Sequence, residues 1–332
     1  MRFSVRFNND LPVAEYLTLA GAAEAAGFDQ FWVSDDLFLR SAPVILTAVA
    51  GVTSHIKLGT CILNPYTLHP SEMAMIAATL DEVSGGRFLL GLAAGANDFL
   101  KWVGLEQTRP LATVRETVQV VRQLLRGEPV PFDGAALNGW TEEAYLRFPS
   151  RPVPIYIGAM GPQMLRLTGE IADGGLPLLF PPEHYETVAQ YVTDGTVQAG
   201  RTLADLDLAA CIWCSIADDR EAAEAVLRDK IAYYGHALGP LIYDRLGVSR
   251  EEFLPIEQAL QRDRDPERAR ALVTPAMLKI GVAGSPRDLI PRLEALAALG
   301  VRHLSFGPPL GPDPLAAIQV LGREVLPLFA DR

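Results

Sequence analysis

The sequence predicts a single α/β domain over residues 1–332, a (β/α)₈ TIM barrel with a helical insertion loop. Short apolar segments alternate with amphipathic ones about eight times along the chain, which is the pattern of βαβ units and a parallel sheet. The short segments are rich in Val, Ile and Leu on both faces, as buried parallel strands are. Eight such units in a chain longer than roughly 250 residues favour a closed barrel over an open sheet.

The first half of the chain supplies four of these units. Glycines end three of the helices, at Gly27, at Gly85-Gly86 and at Gly127. An apolar strand runs into the turn at Asn64-Pro65, and the fixed φ of Pro70 suits the start of the next helix. The predicted strands are 3–7, 30–34, 57–61 and 88–92, and the predicted helices are 12–26, about 41–54, 71–84 and 108–126.

The alternation resumes after a Pro- and Gly-rich loop over 127–154. Residues 239–276, with runs of Arg and Glu, are predicted to form the helical insertion in one barrel loop. The predicted strands of this half are 155–158, 175–179, 206–216 and 302–306, and the predicted helices are 162–172, 184–199, 220–238, 287–299 and 314–329.

Composition excludes several classes of protein. The net charge of −11 argues against a nucleic-acid partner, which would need a basic face. No uninterrupted apolar run of roughly 18 residues is present, so we expect no membrane span. The amino terminus has no apolar core for export, and three cysteines cannot build a disulfide framework. We therefore expect a reduced, cytoplasmic protein that acts on a small molecule.

The residues that follow each predicted strand are the candidate site, because barrel enzymes build their sites at that end. Gly158 to Pro162 is a small-residue turn opening a helix, where free N–H groups would suit a phosphate, although a plain turn has the same pattern. The small residues of 93–98 would admit a flat ring or serve tight packing. Asp35-Asp36 is either a pair with one raised pKa, able to donate a proton, or a helix cap beside a solvated carboxylate.

Other motifs point away from metal and nucleotide-loop chemistry. Cys211 and Cys214 have CxxC spacing, but residues three apart in a strand face opposite sides, so we expect a structural role. The five histidines show no HxH or HxxxH spacing, and we predict no metal site. The chain has no GxGxxG, GxxxxGK[ST] or GxSxG motif.

Five blocks spread over the chain resemble the luciferase-like barrel superfamily, and in particular its coenzyme F420-dependent branch that includes methylenetetrahydromethanopterin reductase. The Ser-Gly-Gly-Arg block is shared widely, whereas the Asn-Pro-Tyr block and the Gly-x-Met-Gly-Pro turn are more specific to the reductases. The blocks are Ala25-Ala-Gly-Phe-Asp-Gln-Phe-Trp-Val-Ser-Asp-Asp36, Asn64-Pro-Tyr-Thr-Leu-His-Pro70, Thr79-Leu-Asp-Glu-Val-Ser-Gly-Gly-Arg-Phe-Leu-Leu-Gly-Leu92, Pro154-Ile-Tyr-Ile-Gly-Ala-Met-Gly-Pro162 and Phe306-Gly-Pro-Pro-Leu-Gly-Pro312.

The resemblance implies an enzyme that holds a deazaflavin, coenzyme F420, in the barrel mouth, over a non-prolyl cis peptide that maps to Cys61–Ile62. It implies that Asp36 lies by the reacting carbon as the catalytic residue. It also implies a homodimer. The cofactor-binding residues that it implies are Asp35, Cys61, Ile62 and Asn64 near the ring, Gly95, Ala96 and Asn97 beside the ring or ribityl chain, and Gly158, Ala159, Met160, Gly161 and Gln163 at the phosphate.

Three departures leave the substrate open. The family commonly has His where Asp36 stands. The methylene-pterin reductases carry Glu where Arg6 lies, and the F420-dependent sugar-phosphate dehydrogenases carry Glu where Ala96 lies. The implied function is hydride transfer between F420 and an unidentified organic substrate. The alternatives are a reduced-FMN monooxygenase and a non-catalytic cofactor-binding barrel.

Overall fold

The computed structural model describes residues 1–235 and 238–330, which form ten parallel strands in one sheet. Six of the eight predicted strands are close to the observed ones; the other two, 175–179 and 206–216, differ, and the observed strand at 282–284 was not predicted. The strands are β1 (Arg2–Phe7), β2 (Gln30–Val33), β3 (Lys57–Thr60), β4 (Phe88–Leu92), β5 (Ile155–Ile157), β6 (Gly174–Gly175), β7 (Asp207–Leu208), β8 (Ala210–Ile216), β9 (Val282–Gly284) and β10 (His303–Leu310).

Helices connect the strands and cover the outside of the sheet. Helix α3 begins at Pro70, as predicted. The helices are α1 (Val13–Ala25), α2 (Ala42–Ala50), α3 (Pro70–Val83), α4 (Asn97–Trp102), α5 (Pro110–Leu125), α6 (Pro162–Ile171), α7 (Tyr185–Gln198), α8 (Arg220–Tyr234), α9 (Pro240–Leu246), α10 (Arg250–Glu257), α11 (Pro266–Ala271), α12 (Pro275–Leu278), α13 (Pro286–Ala298) and α14 (Pro314–Val320).

The sheet curls into a barrel. Its strand order is β7-β6-β5-β4-β3-β2-β1-β10-β8-β9. The two ends meet because β7 and β8 are one chain segment, interrupted only at Ala209, whose N–H donates to the carbonyl of Gly175 at 3.0 Å. Beyond it, Leu179 N–H donates to the carbonyl of Cys211 at 2.9 Å. With β7 and β8 counted as one strand, eight strands form the ring and β9 pairs with the far end of β8. The predicted TIM-barrel fold class is confirmed.

Local features explain where strands and helices depart from the prediction. The strand predicted over 175–179 is reduced to β6, because Pro177 has no N–H to give to a ladder. Strand β9, over 282–284, was not predicted because three residues carry too little pattern. The predicted loop at 93–98 contains the start of α4. The helix predicted over 220–238 ends at Tyr234, and its residues 236–237 lie outside the described part of the chain.

The barrel interior is separate from the main core. Along β1, Ser4 and Arg6 turn inward while Val5 and Phe7 face the helices, as strand alternation requires. The inner cluster of buried side chains is built around Trp32, with Leu89, Tyr156, Leu176, Ala209 and Cys211. The larger cluster lies between the sheet and the helices. The inside of the barrel is therefore a packed core that leaves space only at its ends.

The amino-terminal end of the barrel is closed by a polar network around Asp207. Its carboxylate accepts hydrogen bonds from Tyr156 Oη at 2.7 Å and Gln30 Nε2 at 3.1 Å, and pairs with Arg2 at 2.7 Å and His303 Nδ1 at 3.0 Å. Burial opposes ionisation, but these partners hold the pKa of Asp207 well below its usual range. This end is built for stability, and it leaves the opposite end for chemistry.

Helices α9 to α12 occupy the residues predicted as the insertion, between α8 and β9. They share an apolar cluster with two barrel residues, Phe180 and Trp213, and its largest fully buried member is Phe253. The insertion therefore packs onto one side of the barrel mouth. In the described ranges, no helix is both long and apolar enough to cross a membrane.

Candidate active site

The carboxyl ends of β3, β4 and β5 bring several predicted cofactor residues together. The peptide bond Cys61–Ile62 is cis, as predicted. After it the chain rejoins the sheet: Leu63 N–H donates to the carbonyl of Gly91 at 2.9 Å, and Ala93 N–H donates to the carbonyl of Leu63 at 3.1 Å. The segment containing Ile62 is thus tied directly to the end of β4.

Two glycines allow the neighbouring loops to approach this segment. A Cβ added at Gly158 would lie 3.1 Å from Ile62 and 3.2 Å from Ala93, so the three residues already touch. A Cβ at Gly95 would lie 2.4 Å from Nδ2 of Asn64. Ile62, Asn64, Gly95 and Gly158 therefore form one continuous surface, although they come from three separate loops.

The loop after β4 is held in place by one side chain that the sequence did not suggest. Gln107 Nε2 donates to the carbonyls of Ala94 at 2.8 Å and Gly95 at 2.9 Å. Ala96 then caps α4, and both Ala96 and Asn97 are exposed. These two predicted residues lie at the rim of the surface, and their side chains are free to meet a bound molecule.

The phosphate turn ends in an open helix terminus. Gly161 is the N-cap of α6 and has no side-chain capping bond, and Pro162 is the first helical residue. The N–H groups of Gln163 and Met164 belong to the first turn, where no intrahelical acceptor exists. Nothing lies within 4 Å of the place where a Cβ of Gly161 would stand. Ala159 is buried and Met160 is 43% exposed. This terminus is accessible to an anion.

The two aspartates after β2 have different environments. Asp35 Oδ1 accepts a hydrogen bond from the N–H of Ala42, the first residue of α2, at 2.8 Å. This carboxylate therefore caps the helix, as the helix-cap interpretation requires. Burial raises its pKa, and Asp36 adds to the shift. Burial likewise raises the pKa of Asp36, although Lys230 and a hydrogen bond from Ser34 oppose the shift. Asp36 is thus a carboxyl group biased towards holding a proton.

Asn9, a fully buried residue after β1, holds the loop that carries Asp36. Its Oδ1 accepts from the backbone N–H of Asp36 at 3.2 Å and from Ser34 Oγ at 3.2 Å. Its Nδ2 donates to the carbonyls of Asp36 at 3.0 Å and Arg40 at 2.6 Å. The position of Asp36 is therefore set by backbone contacts that do not involve its own carboxylate.

Lys230 is the main site residue that the sequence did not reveal. It projects from α8 over the end of β1, where Nζ donates to Oδ1 of Asn8 at 3.4 Å. Nζ also lies 4.2 Å from the ring centre of Tyr234 and 5.5 Å from that of Trp213. Burial lowers the pKa of Lys230 to about 8, against the opposing effect of Asp36. A single lysine in an amphipathic helix carries no sequence signal that distinguishes it.

Arg6, on β1, lies inside the barrel. Its Nε donates to Ser305 Oγ at 3.1 Å and its Nη2 to the carbonyl of Ile212 at 2.8 Å. It is 6% exposed, and its charge acts on the nearby Cys61 thiol. A cation therefore lies beneath the segment around the cis peptide.

The cysteines are not a reactive group. Cys211 belongs to the cluster inside the barrel and Cys214 to the core outside it, so the CxxC thiols diverge as predicted. Burial raises the pKa of both thiols, and raises the pKa of Cys61 to about 12. Within 1–235 and 238–330, no group of three or more His, Cys, Asp or Glu side chains is placed to hold a metal ion.

Comparison with known proteins agrees with this arrangement. The family model described as luciferase-like monooxygenase matches residues 1–303. The 5,10-methylenetetrahydromethanopterin reductase of Archaeoglobus fulgidus is 33% identical, over 98% of this chain and 99% of its own length. The F420-dependent glucose-6-phosphate dehydrogenase of Nakamurella multipartita is 33% identical, over 95% of this chain and 92% of its own.

A solved structure shows the same fold over the whole chain. The coenzyme F420-dependent tetrahydromethanopterin reductase from Methanopyrus kandleri superposes with a TM-score of 0.91 at 32% identity, covering 99% of both chains. The five sequence blocks, the barrel and these similarities agree with one another. The chain belongs to the luciferase-like monooxygenase family, and within it to the F420-dependent oxidoreductases.

Proposed function

We propose that this protein binds coenzyme F420 in the barrel mouth and transfers a hydride between it and a small organic substrate. The observation that carries the proposal is the continuous surface of Ile62, Asn64, Gly95 and Gly158, which ends at the uncapped terminus of α6. A flat ring needs close access to backbone and a phosphate needs free N–H groups, and this surface offers both. The F420-dependent relatives support the same cofactor.

The residues present fit the cofactor. The open space at Gly161 admits a phosphate, which the N–H group of Gln163 would bind, with Ala159 and Met160 beside it. The backbone at Cys61 and Ile62 would support the ring, and Asn64, Gly95, Ala96 and Asn97 would border it. Asp35 would act through the loop that it holds against α2. When bound, the deazaflavin supplies hydride chemistry at its C5, and the protein supplies orientation and charge.

Asp36 is the catalytic residue in this proposal. A carboxyl group can donate a proton only if it holds one near the working pH, and burial moves the pKa of Asp36 in that direction. Asn9 keeps its loop in place, so the carboxyl oxygens remain free to meet a substrate. Asp36 would give or take the proton that accompanies hydride transfer.

A fluorescence titration with F420 tests the cofactor site. We expect Gly161→Val to raise the F420 Kd at least about tenfold, because the new side chain enters the phosphate space. Gly239→Val is a matched control: Gly239 is the N-cap of α9, also precedes a proline, and also has nothing within 4 Å of its Cβ position. An F420 Kd that changes equally in both variants would place the phosphate elsewhere.

The same titration with FMN separates the proposal from its first alternative. The luciferase-like family includes monooxygenases, so FMN retention with oxygen consumption would contradict F420 dependence. F420 has carbon where FMN has N5, and it does not form an oxygen adduct readily. A protein that binds F420 but turns over no enone, alcohol or imine would instead be a non-catalytic cofactor carrier.

We also propose a homodimer located in the cytoplasm. Light scattering after size-exclusion chromatography measures the mass of the assembly against the 36.0 kDa of one chain. A monomer at micromolar concentration would contradict the dimer.

A further inference from the structure

Two cations meet at the barrel mouth without a carboxylate directly bonded to either. Arg6 and Lys230 form no ion pair with any carboxylate in the described ranges. Their hydrogen bonds go to neutral oxygens only: a serine hydroxyl, a backbone carbonyl and the amide of Asn8. Removing a cation from water without a counter-charge costs free energy, so two such groups side by side indicate a site for an anion.

The two cations border the same space. Asn8 follows the end of β1, two residues after Arg6, and Lys230 bonds to Asn8; the charge of Arg6 also acts on Lys230. On the other side, Arg6 bonds to the carbonyl of Ile212, and the next residue, Trp213, places its ring 5.5 Å from Lys230 Nζ. Both cations therefore lie near the end of β1 and the middle of β8, two strands that β10 separates.

Arg6 is held firmly and still has a donor to offer. Ser305 Oγ accepts from its Nε and also from Ser4 Oγ, at 2.7 Å, and Ser4 bonds in turn to His303 of the barrel floor, at 2.8 Å. A Cβ at Gly307 would lie 2.0 Å from Nη2, so a glycine there is needed to admit the guanidinium. Nη1 donates to none of the described residues and is not enclosed.

The charge balance selects the kind of anion. Arg6 and Lys230 supply two positive charges, and the carboxyl groups of Asp36 and Asp10 also act on Lys230. These acidic neighbours oppose a second negative charge on a ligand, so a monoanion fits this place better than a dianion does. Two donor groups, Nη1 and Nζ, also match the two oxygens of a carboxylate.

We propose that Arg6 and Lys230 bind the carboxylate of the second substrate, so that the protein acts on a monoanionic organic acid. This rests on the proposed function, since the substrate would lie beside the F420 site.

Ligand-observed NMR on the F420-loaded protein tests the inference with benzoate and crotonate against benzamide and crotonamide. We expect each acid to bind more tightly than its amide. Lys230→Met should raise the Kd of the acids at least about tenfold and leave the amides unchanged, while the F420 Kd stays constant. Lys57→Met, at the opposite end of the barrel, is the matched control and should change nothing.

A second variant, Arg6→Met, tests the other cation. Arg6→Met removes two buried hydrogen bonds, so its melting curve is measured first; if it unfolds, Lys230→Met and Lys230→Arg decide the matter. Lys230→Arg keeps the charge and should keep the preference for acids. Equal binding of acid and amide to the wild-type protein, or an acid Kd unchanged in Lys230→Met, would overturn the inference. Tighter binding of inorganic phosphate than of benzoate would also overturn it.

The pH profile supplies an independent check. The charged and titratable groups that act on Lys230 are Asp36, Asp10, Arg6 and Tyr234. Between pH 7 and pH 9.5 we expect Lys230, whose pKa burial lowers to about 8, to lose its charge, whereas burial raises the pKa of Tyr234. Acid binding should weaken over that interval in the wild-type protein and stay level in Lys230→Arg.

Failure of F420 to bind at all would instead contradict the proposed function, and acid binding to the unloaded protein would still be measurable.

Discussion

Replacing Asp36 by Asn tests the catalytic proposal most directly. The substitution keeps the shape of the side chain and removes the ionisable group. The loop should keep its place, because Asn9 bonds to the backbone N–H and carbonyl of Asp36 rather than to its carboxylate. The one contact made by the carboxylate is from Ser34 Oγ, at 3.4 Å, and the new amide oxygen can accept it. Folding stability should therefore change little.

The effect on turnover follows from the loss of a general acid. Such a group contributes roughly 10²–10⁴-fold to rate, which corresponds to about 2.7–5.4 kcal/mol at 1.36 kcal/mol for each factor of ten. We expect turnover of Asp36→Asn to fall by this factor while the F420 Kd stays within about twofold, since the carboxylate does not touch the phosphate terminus. A fall in both values would indicate a structural role instead.

The assay combines steady-state turnover on a panel of enones, alcohols and imines with F420 fluorescence titration. Asp98→Asn is the matched control: Asp98 is an exposed carboxylate at the same mouth, paired with Lys101 at 3.0 Å. It should leave both values unchanged. Wild-type turnover in Asp36→Asn would refute the reasoning, and a loss in Asp98→Asn would move the proton donor there.

Three further predictions concern stability. Asp207→Asn should destabilise the fold by about 1–3 kcal/mol, because Tyr156 and His303 lose hydrogen bonds to the buried carboxylate and Arg2 loses its ion pair. The pKa of Asp207 is lowered on folding, so its contribution is complete above pH about 4 and is lost as pH falls further. Urea unfolding at pH 7 and pH 3 should therefore differ more in the wild type than in the variant. Glu116→Gln should cost about 1–3 kcal/mol, because this carboxylate accepts the N–H groups of residues 135–137 and an amide must leave one unmet; an unchanged melting curve would contradict this. Phe253→Ala should cost about 3–5 kcal/mol, since the ring is 1% exposed in the insertion cluster, and unchanged proteolysis of 239–276 would show that this cluster is not what holds the insertion.

Much of the fold follows from local patterns in the chain. Each predicted barrel strand is a short apolar run between turn residues. Such a run is defined by residues that are consecutive in the sequence. Pro70 starts its helix because its fixed φ and missing N–H suit no other helical position so well. Cys211 and Cys214 diverge because strand alternation has a period of two.

The parts of the fold that were mispredicted depend on contacts with distant residues. Ala209 breaks a strand of ordinary sequence because its N–H bonds to Gly175 where the barrel closes. Strand β9 exists because three residues find a free edge on β8. Neither the break at Ala209 nor strand β9 has a sequence pattern of its own, so only the assembled sheet determines where they form.

The sequence alone determined the alternation of strands and helices and the loops that gather at the barrel mouth, because both are encoded in consecutive residues. The tertiary structure decided how the surroundings of Asp35 and Asp36 differ, since Asp35 bonds to the start of α2 and the charge of Lys230 acts on Asp36. Arg6 and Lys230 are 224 positions apart, and the charge of one acts on the other only because the closed barrel brings β1 close to β8 and α8. The sequence specifies which residues carry a charge. Only the closed barrel brings together the partners that shift the pKa values of those residues.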